Sequence, residues 1–193
     1  SNLPTSPRLR GAGKSQISRK PLIYITGGNL GSHAINLLVE KVIYELLERF
    51  EVVHQTGAAS EHNDFERLKS LKDSLDEKLK KRYVLKKFLT GSEVGKVLVL
   101  ADIVVSRAGI NTICELLHLQ KPYLLIPLPL GREQKGNAKY FSKFGFGESI
   151  SQDASSSFFL EKINQILKNI DKYKENYKNK RNHRYIKKFI FGR

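Results

Sequence analysis

The sequence predicts an α/β fold in which one parallel sheet is covered by helices on both faces. Three observations carry that reading. Short β-rich apolar runs alternate along the chain with segments whose apolar residues recur at helical spacing. Two of the runs end in turns of small residues that lead straight into a helix, and at such strand ends open parallel sheets place their ligands. The chain, 193 residues with 40% hydrophobic content, is long enough to bury a real core as one domain or one lobe of a larger protein.

Taken in order, Pro21 to Thr26 is the first strand, Gly27 to Ser32 (GGNLGS) a glycine-rich turn, and Ala34 to Arg49 an amphipathic helix. Glu51 to Gln55 is the second strand, followed by a polar loop over Gly57 to Asn63 and a charge-laced helix over Asp64 to Lys81. Tyr83 to Leu89 forms the third strand, with a short helix from Glu93 to Leu100 behind it. The fourth strand, Ile103 to Ser106, leads into a helix spanning 108–118. Tyr123 to Ile126 is the fifth strand, and Pro127, Pro129 and Gly131 force a loop after it. A helix over Gln134 to Phe144, a brief strand at Glu148 to Ile150 and helices from Ser156 onward complete the pattern.

The most informative stretch is Ala101 to Glu115, ADIVVSRAGINTICE. An apolar strand stops on Ser-Arg-Ala-Gly, and the helix that follows carries one carboxylate about two turns in. Backbone N–H groups at such a turn converge on one point and suit a phosphate, and an acid farther along the helix can accept both hydroxyls of a ribose. The unit asks for a nucleotide. GGNLGS repeats the strand–turn–helix arrangement, although taken alone it is equally a tight turn and is not a GxGxxG fingerprint. A third segment, PLPLGREQKGNAKYF, gathers Arg132, Glu133, Gln134 and Asn137 at the same sheet edge. Gln134 and Asn137, three residues apart, fall on one side of a helix, and amides offer the paired donors and acceptors that sugar hydroxyls need.

Charge is concentrated at the ends. Of the net +15, residues 1–20 hold five basic side chains and no acid, and 172–193 hold nine against Glu175 alone. The body, 21–171, is nearly neutral, with 20 basic and 18 acidic residues. No nucleic-acid reading motif accompanies the charge, so no nucleic-acid partner is expected. The tail KNKRNHRYIKKFIFGR mixes cations with Tyr185, Ile186, Phe189, Ile190 and Phe191. It reads first as a solvated terminal helix with apolar anchors docking on the body, and its composition also suits an anionic membrane surface. No stretch approaches the roughly 18 apolar residues of a membrane span. The single cysteine, Cys114, reads as core filler and fits a reducing cytoplasm. His54, ending a strand, reads as a fold-internal hydrogen-bonding residue rather than a catalyst. His33 lies at a helix start, where it can stiffen the turn or meet another lobe. His62, His118 and His183 lack metal-ligand spacing with any Cys or carboxylate, so no metal is expected.

GGNLGS, HQTG at 54–57, ADIVVSRAG with Glu115 downstream, and PLPLGREQKGNA together strongly resemble the C-terminal lobe of the MurG family, from Pro21 to about Gln152. These are UDP-GlcNAc-dependent transferases that glycosylate a lipid-linked muramoyl-pentapeptide diphosphate in peptidoglycan synthesis. The resemblance implies a Rossmann-like lobe of the two-lobed GT-B architecture, binding UDP-GlcNAc with no metal or other cofactor. It places Gly28 and Asn29 near the diphosphate, and Phe88 and Leu89 beside the uracil. Arg107, Ala108, Gly109, Ile110, Asn111 and Thr112 would surround the phosphates, with Glu115 on the ribose and Gln134 and Asn137 on the sugar hydroxyls. Arg8, in PTSPR, matches the arginine of the inter-lobe linker. Asn29-Leu30 stand where the family commonly has Ser-Gln, and Glu133 where an amide or His is frequent.

The same resemblance implies three segments: 1–20 as linker, 21–170 as the UDP-sugar-binding domain, and 171–193 as a basic C-terminal helix or tail. The acceptor lobe and its general base are not in this sequence, and Ser1-Asn2 reads as a remnant of tag cleavage, so the chain is expected to be an excised lobe, inactive alone; as a natural protein it would instead resemble the two-subunit GlcNAc transferase of eukaryotic dolichol-linked glycan synthesis and need a partner. Inverting transfer by the whole enzyme, peripheral on the inner face of the plasma membrane, is the expected function. A different GT-B enzyme (a glycolipid synthase or UDP-sugar 2-epimerase) and a non-enzymatic nucleotide or RNA module remain alternatives.

Overall fold

A computed structural model of the chain describes residues 19–179 together with residues 182, 184, 186 and 187. Six strands alternate with eight helices among them: β1 (Leu22–Thr26), α1 (His33–Arg49), β2 (Glu51–Gln55), α2 (Asp64–Ser74), α3 (Glu77–Lys80), β3 (Tyr83–Lys86), α4 (Gly91–Leu100), β4 (Ile103–Ser106), α5 (Ile110–His118), β5 (Tyr123–Leu125), α6 (Arg132–Ser142), β6 (Gly147–Ser149), α7 (Ser156–Lys168) and α8 (Ile170–Lys178). All neighbouring strands pair parallel, in the order β3-β2-β1-β4-β5-β6. The order reverses between β1 and β4. At that point the chain leaves the two adjacent strands toward opposite faces, and their C-terminal ends open a crevice.

Successive side chains on a strand point to opposite faces, so each strand supplies both cores. Ile23, Ile25, Val52, Ile103, Val105 and Leu124 pack on one side beneath α1, α2 and α7. Leu22, Tyr24, Val53, Val104, Tyr123 and Leu125 pack on the other beneath α4, α5 and α6. Near-continuous apolar strands are what a sheet covered on both faces requires. On the second face Tyr177 of α8 stacks on Phe146 with ring centroids 4.1 Å apart and donates to the Lys121 carbonyl at 2.8 Å. The beginning of the basic C-terminal segment is thereby docked on the body. Arg8 and most of the tail beyond 179 lie outside the described residues.

Three local expectations need correction. The helix expected over Asp64 to Lys81 is two helices, because Leu75 turns into extended backbone to stay buried and Asp76 caps a new turn by accepting from the Leu79 N–H at 2.8 Å. The third strand stops at Lys86 rather than Leu89, and α4 starts at Gly91 because Thr90 and Glu93 form a reciprocal capping box. Cys114 is half-buried on α5 rather than in the core, and burial together with Glu115 raises its thiol pKa.

Candidate functional site

The β1–α1 turn is built by glycines pressed against β2. Gly31 has φ +88, and a Cβ there would lie 2.0 Å from the Thr56 carbonyl oxygen. Gly57 has φ +96, and its Cβ would lie 2.1 Å from the Gly31 Cα. The two loops therefore touch backbone to backbone, joined by Ala58 N–H to the Asn29 carbonyl at 2.9 Å and Ala59 N–H to the Leu30 carbonyl at 3.1 Å. Gly28 is different: its φ is +86, but nothing lies within 4 Å of where a Cβ would stand. Its N–H is held by Thr26 Oγ1 at 3.0 Å and its carbonyl by Gln55 Nε2 at 3.1 Å. The Gln55 amide is oriented in turn by Tyr24 Oη at 3.1 Å.

Beneath this turn runs a buried polar chain. Asn36 Nδ2 donates to the Thr56 carbonyl at 3.1 Å and to Asp64 Oδ2 at 2.8 Å. A carbonyl and a carboxylate only accept, so the amide oxygen is left to accept from His54 Nε2 at 3.0 Å. His54 Nδ1 then accepts from Tyr83 Oη at 2.9 Å, and the ring is neutral. Burial pushes its pKa down to about 3. Burial pushes the Asp64 carboxyl up, but hydrogen bonds from Asn36, His33 and Arg67 outweigh it and the net shift is downward. His33 meets Asp64 Oδ1 at 2.8 Å and stacks on His62 with centroids 3.8 Å apart. His54 and His33 are thus structural props of the loops.

The His54 shift has a consequence in acid. The unfolded imidazole titrates near ~6.5, whereas the folded one stays neutral until about 3. Between those values the unfolded state binds the extra proton. The stability that His54 contributes is complete above the unfolded pKa and falls with pH below it, by up to about 1.4 kcal/mol per pH unit. Thermal denaturation followed through that window should show this slope, and a His54→Gln protein, which cannot titrate there, should show a flatter one. Parallel profiles for the two proteins would contradict the assignment.

On the other side of the switch point, β4 runs into Arg107. Its guanidinium donates to the carbonyls of Ile126 and Pro127 at 3.0 and 3.2 Å, to Ser32 Oγ at 2.6 Å and to Gln152 Oε1 at 3.1 Å. One side chain therefore ties the start of α1, the end of β5 and the β6–α7 loop to β4, and burial lowers its pKa. α1, α3, α4 and α7 begin on Ser, Asp or Thr side-chain caps, but α5 and α6 begin on Gly109 and Gly131 with no side-chain cap. The first-turn N–H groups at Ile110, Asn111 and Thr112 have no intrahelical partner, and a positive dipole end accompanies them.

A cavity of about 530 Å³ opens at this edge. Of the residues expected at the site, Gly28, Asn29, Phe88, Leu89, Thr112 and Glu115 line it. Burial raises the Glu115 carboxyl pKa. Arg107, Ala108, Gly109, Ile110, Asn111, Gln134 and Asn137 are not on its wall. Asn137 Nδ2 instead reaches the Ala108 carbonyl at 3.0 Å and Glu133 Oε1 at 3.3 Å, fastening α6 to the turn before α5. Gln134 Oε1 accepts from the Leu128 N–H at 3.1 Å. The wall also contains Gln55, Gly91, Gly95 and His118, which sequence reasoning missed. His118 follows Glu115 by three helical positions and was findable from that spacing. Among the described residues, no three His, Cys, Asp or Glu side chains are grouped to hold a metal ion.

Over residues 22–189 the sequence matches the glycosyltransferase family 28 C-terminal domain. It is 34% identical over 164 residues to the UDP-N-acetylglucosamine--N-acetylmuramyl-(pentapeptide) pyrophosphoryl-undecaprenol N-acetylglucosamine transferase of Clostridium tetani, covering 83% of this chain and 42% of that protein. The Geobacillus kaustophilus enzyme of the same name is 35% identical over 163 residues, covering 82% of this chain and 42% of the relative. The chain thus spans less than half the length of these relatives. Among solved structures, Acinetobacter baumannii MurG aligns with TM-score 0.66 at 22% identity, over 84% of this chain and 45% of that one. UDP-GlcNAc 2-epimerase from Neisseria meningitidis bound to UDP-GlcNAc aligns with TM-score 0.58 at 16% identity, over 82% and 39%.

Proposed function

The chain belongs to glycosyltransferase family 28, as its C-terminal domain, and on that premise we propose that it is the UDP-GlcNAc-binding lobe of an inverting GlcNAc transferase that acts on a lipid-linked muramoyl-pentapeptide diphosphate. One observation carries the reading: at the β1–β4 switch point, Thr112 and Glu115 of a glycine-capped helix share a cavity wall with Gly28 and Asn29. The relatives named above, at 34 and 35% identity, favour this transferase over the epimerase, which is similar at 16%.

Transfer of the sugar leaves negative charge on UDP, and preorganised N–H groups at the start of α5 stabilise charge that develops there. Gly28 lets a diphosphate approach its backbone, since no side chain fills that space. Glu115 accepts from the ribose hydroxyls, and Phe88 and Leu89 flank the base. Arg107 acts as a positioning residue, bracing the rim through its four hydrogen bonds. Gln134 and Asn137 lie beyond the cavity at the α6 start, where the sugar would extend. The acceptor and the general base come from another lobe, so this chain binds donor without turnover.

Thermal denaturation with UDP-GlcNAc, UDP-glucose and UDP-GalNAc tests the assignment, because a ligand at about a hundred times its dissociation constant adds roughly 2.7 kcal/mol of stability. UDP-GlcNAc should raise the midpoint most, and Gln134→Ala should shrink its advantage over UDP-glucose. No shift with any of the three would overturn the reading.

A further inference from the structure

We propose that the outer face of α6, together with the loop that enters it, is a docking surface for an anionic phospholipid bilayer. Arg132, Lys135, Lys139 and Lys143 fall within an arc of about 80° on successive turns of this helix. All four are exposed, and none of their cationic groups makes an ion pair or hydrogen bond with a described residue. These four cations outnumber the acids nearby, of which Glu148 alone has a cationic partner among the described residues. Glu133 accepts from Asn137, and Glu148 is held by Tyr173 Oη at 2.6 Å and by Lys162 at 3.8 Å. Asp153 accepts from Ser151 Oγ at 3.4 Å.

Beside the cations lies a hollow of about 420 Å³, whose wall includes Pro127, Pro129, Lys135, Lys139, Ser151 and Asp153. Two lysines against one acid suit a phosphate headgroup. On the same loop Leu130 is 95% and Leu128 42% exposed. These leucines are held outward rather than left loose. Pro127 and Pro129 restrict the backbone, the Leu128 N–H is bonded to Gln134, and the Gly131 N–H closes a turn onto the Leu128 carbonyl at 3.2 Å. A nucleic acid would neutralise the cations and leave the leucines in water, whereas a bilayer accepts both. The surface stands apart from the donor cavity, so the inference does not depend on the donor being UDP-GlcNAc. Docking here would present the Gln134 and Asn137 end of α6 to the membrane interface.

Co-sedimentation of the whole chain with vesicles tests this, using phosphatidylcholine alone and phosphatidylcholine with about one-third phosphatidylglycerol. Binding should require the anionic lipid and fall with salt. The paired change Lys135→Gln and Lys139→Gln should weaken it about thirtyfold, the corresponding Lys→Arg pair should keep it, and Leu130→Ser should weaken it several-fold. UDP affinity should be the same in every variant, which separates failure of this surface from failure of the donor assignment. Variants that bind vesicles like the parent would place the attraction in the basic ends and overturn the proposal. Equal binding to uncharged vesicles, or tighter binding of a short RNA lost in the same variants, would also overturn it.

Discussion

Replacing Glu115 by alanine should weaken UDP binding by about 1.5–3 kcal/mol, roughly ten- to a hundredfold, because in the proposed function it removes a charged acceptor from the ribose hydroxyls. The site isolates this effect unusually well. Glu115 stands on the cavity wall at α5, partly desolvated, and its carboxylate makes no hydrogen bond or ion pair with any described residue. Its removal leaves no described group unpaired, so folding stability should change by less than about 0.5 kcal/mol. Calorimetric titration beside thermal denaturation reads both quantities. An indifferent variant, or one that loses stability and affinity together, would contradict the role given to this residue.

Gly57→Ala should have the largest effect on the fold, a loss of more than about 3 kcal/mol. The left-handed conformation at φ +96 penalises any Cβ. The greater cost is steric, since that Cβ would lie 2.1 Å from the Gly31 Cα and 2.2 Å from the Gly31 nitrogen. Backbone cannot swing aside like a side chain, so the β1–α1 and β2–α2 loops would have to separate. Gly31→Ala presses on the same contact from the other side. Gly28→Ala is the control: it has similar φ and open space, and should cost only about 1 kcal/mol while obstructing the diphosphate. For a chain of this length, melting of Gly57→Ala should fall by about 6–12 °C. A fall no larger than that of Gly28→Ala would show that the loop contact is dispensable.

Local patterns carried the strands, the two strand-end turns and Glu115 into view, because each is written in a handful of adjacent residues. β1 and β4 read as apolar runs ending on small residues, and Glu115 stands at a fixed helical distance from the second turn. What the sequence hid is set by distant partners. Asn36, His54 and Asp64 join one polar chain across separations of 18 and 28 residues. Arg107 reads as a free cation at a phosphate turn, yet its donors are taken by carbonyls 19 and 20 residues on and by Ser32, 75 residues back. Gly95 looks like a weak point in a helix, with mid-helix glycine costing about 1 kcal/mol relative to alanine, and Gly91 opens α4. Only their place on the cavity wall, where nothing lies within 4 Å of an added Cβ, explains the room they leave. The break between α2 and α3 was missed because Asp76 is an ordinary exposed acid on a helix until its capping of Leu79 is known.

Crystals grown with uridine diphosphate provide the most direct measurement. The diphosphate should lie within hydrogen-bond distance of the N–H groups at Ile110 to Thr112 and beside the Gly28 backbone, with both ribose hydroxyls on the Glu115 carboxylate and the uracil against Phe88 and Leu89. A nucleotide bound elsewhere on the chain, or this cavity unchanged at saturating nucleotide, would contradict the account.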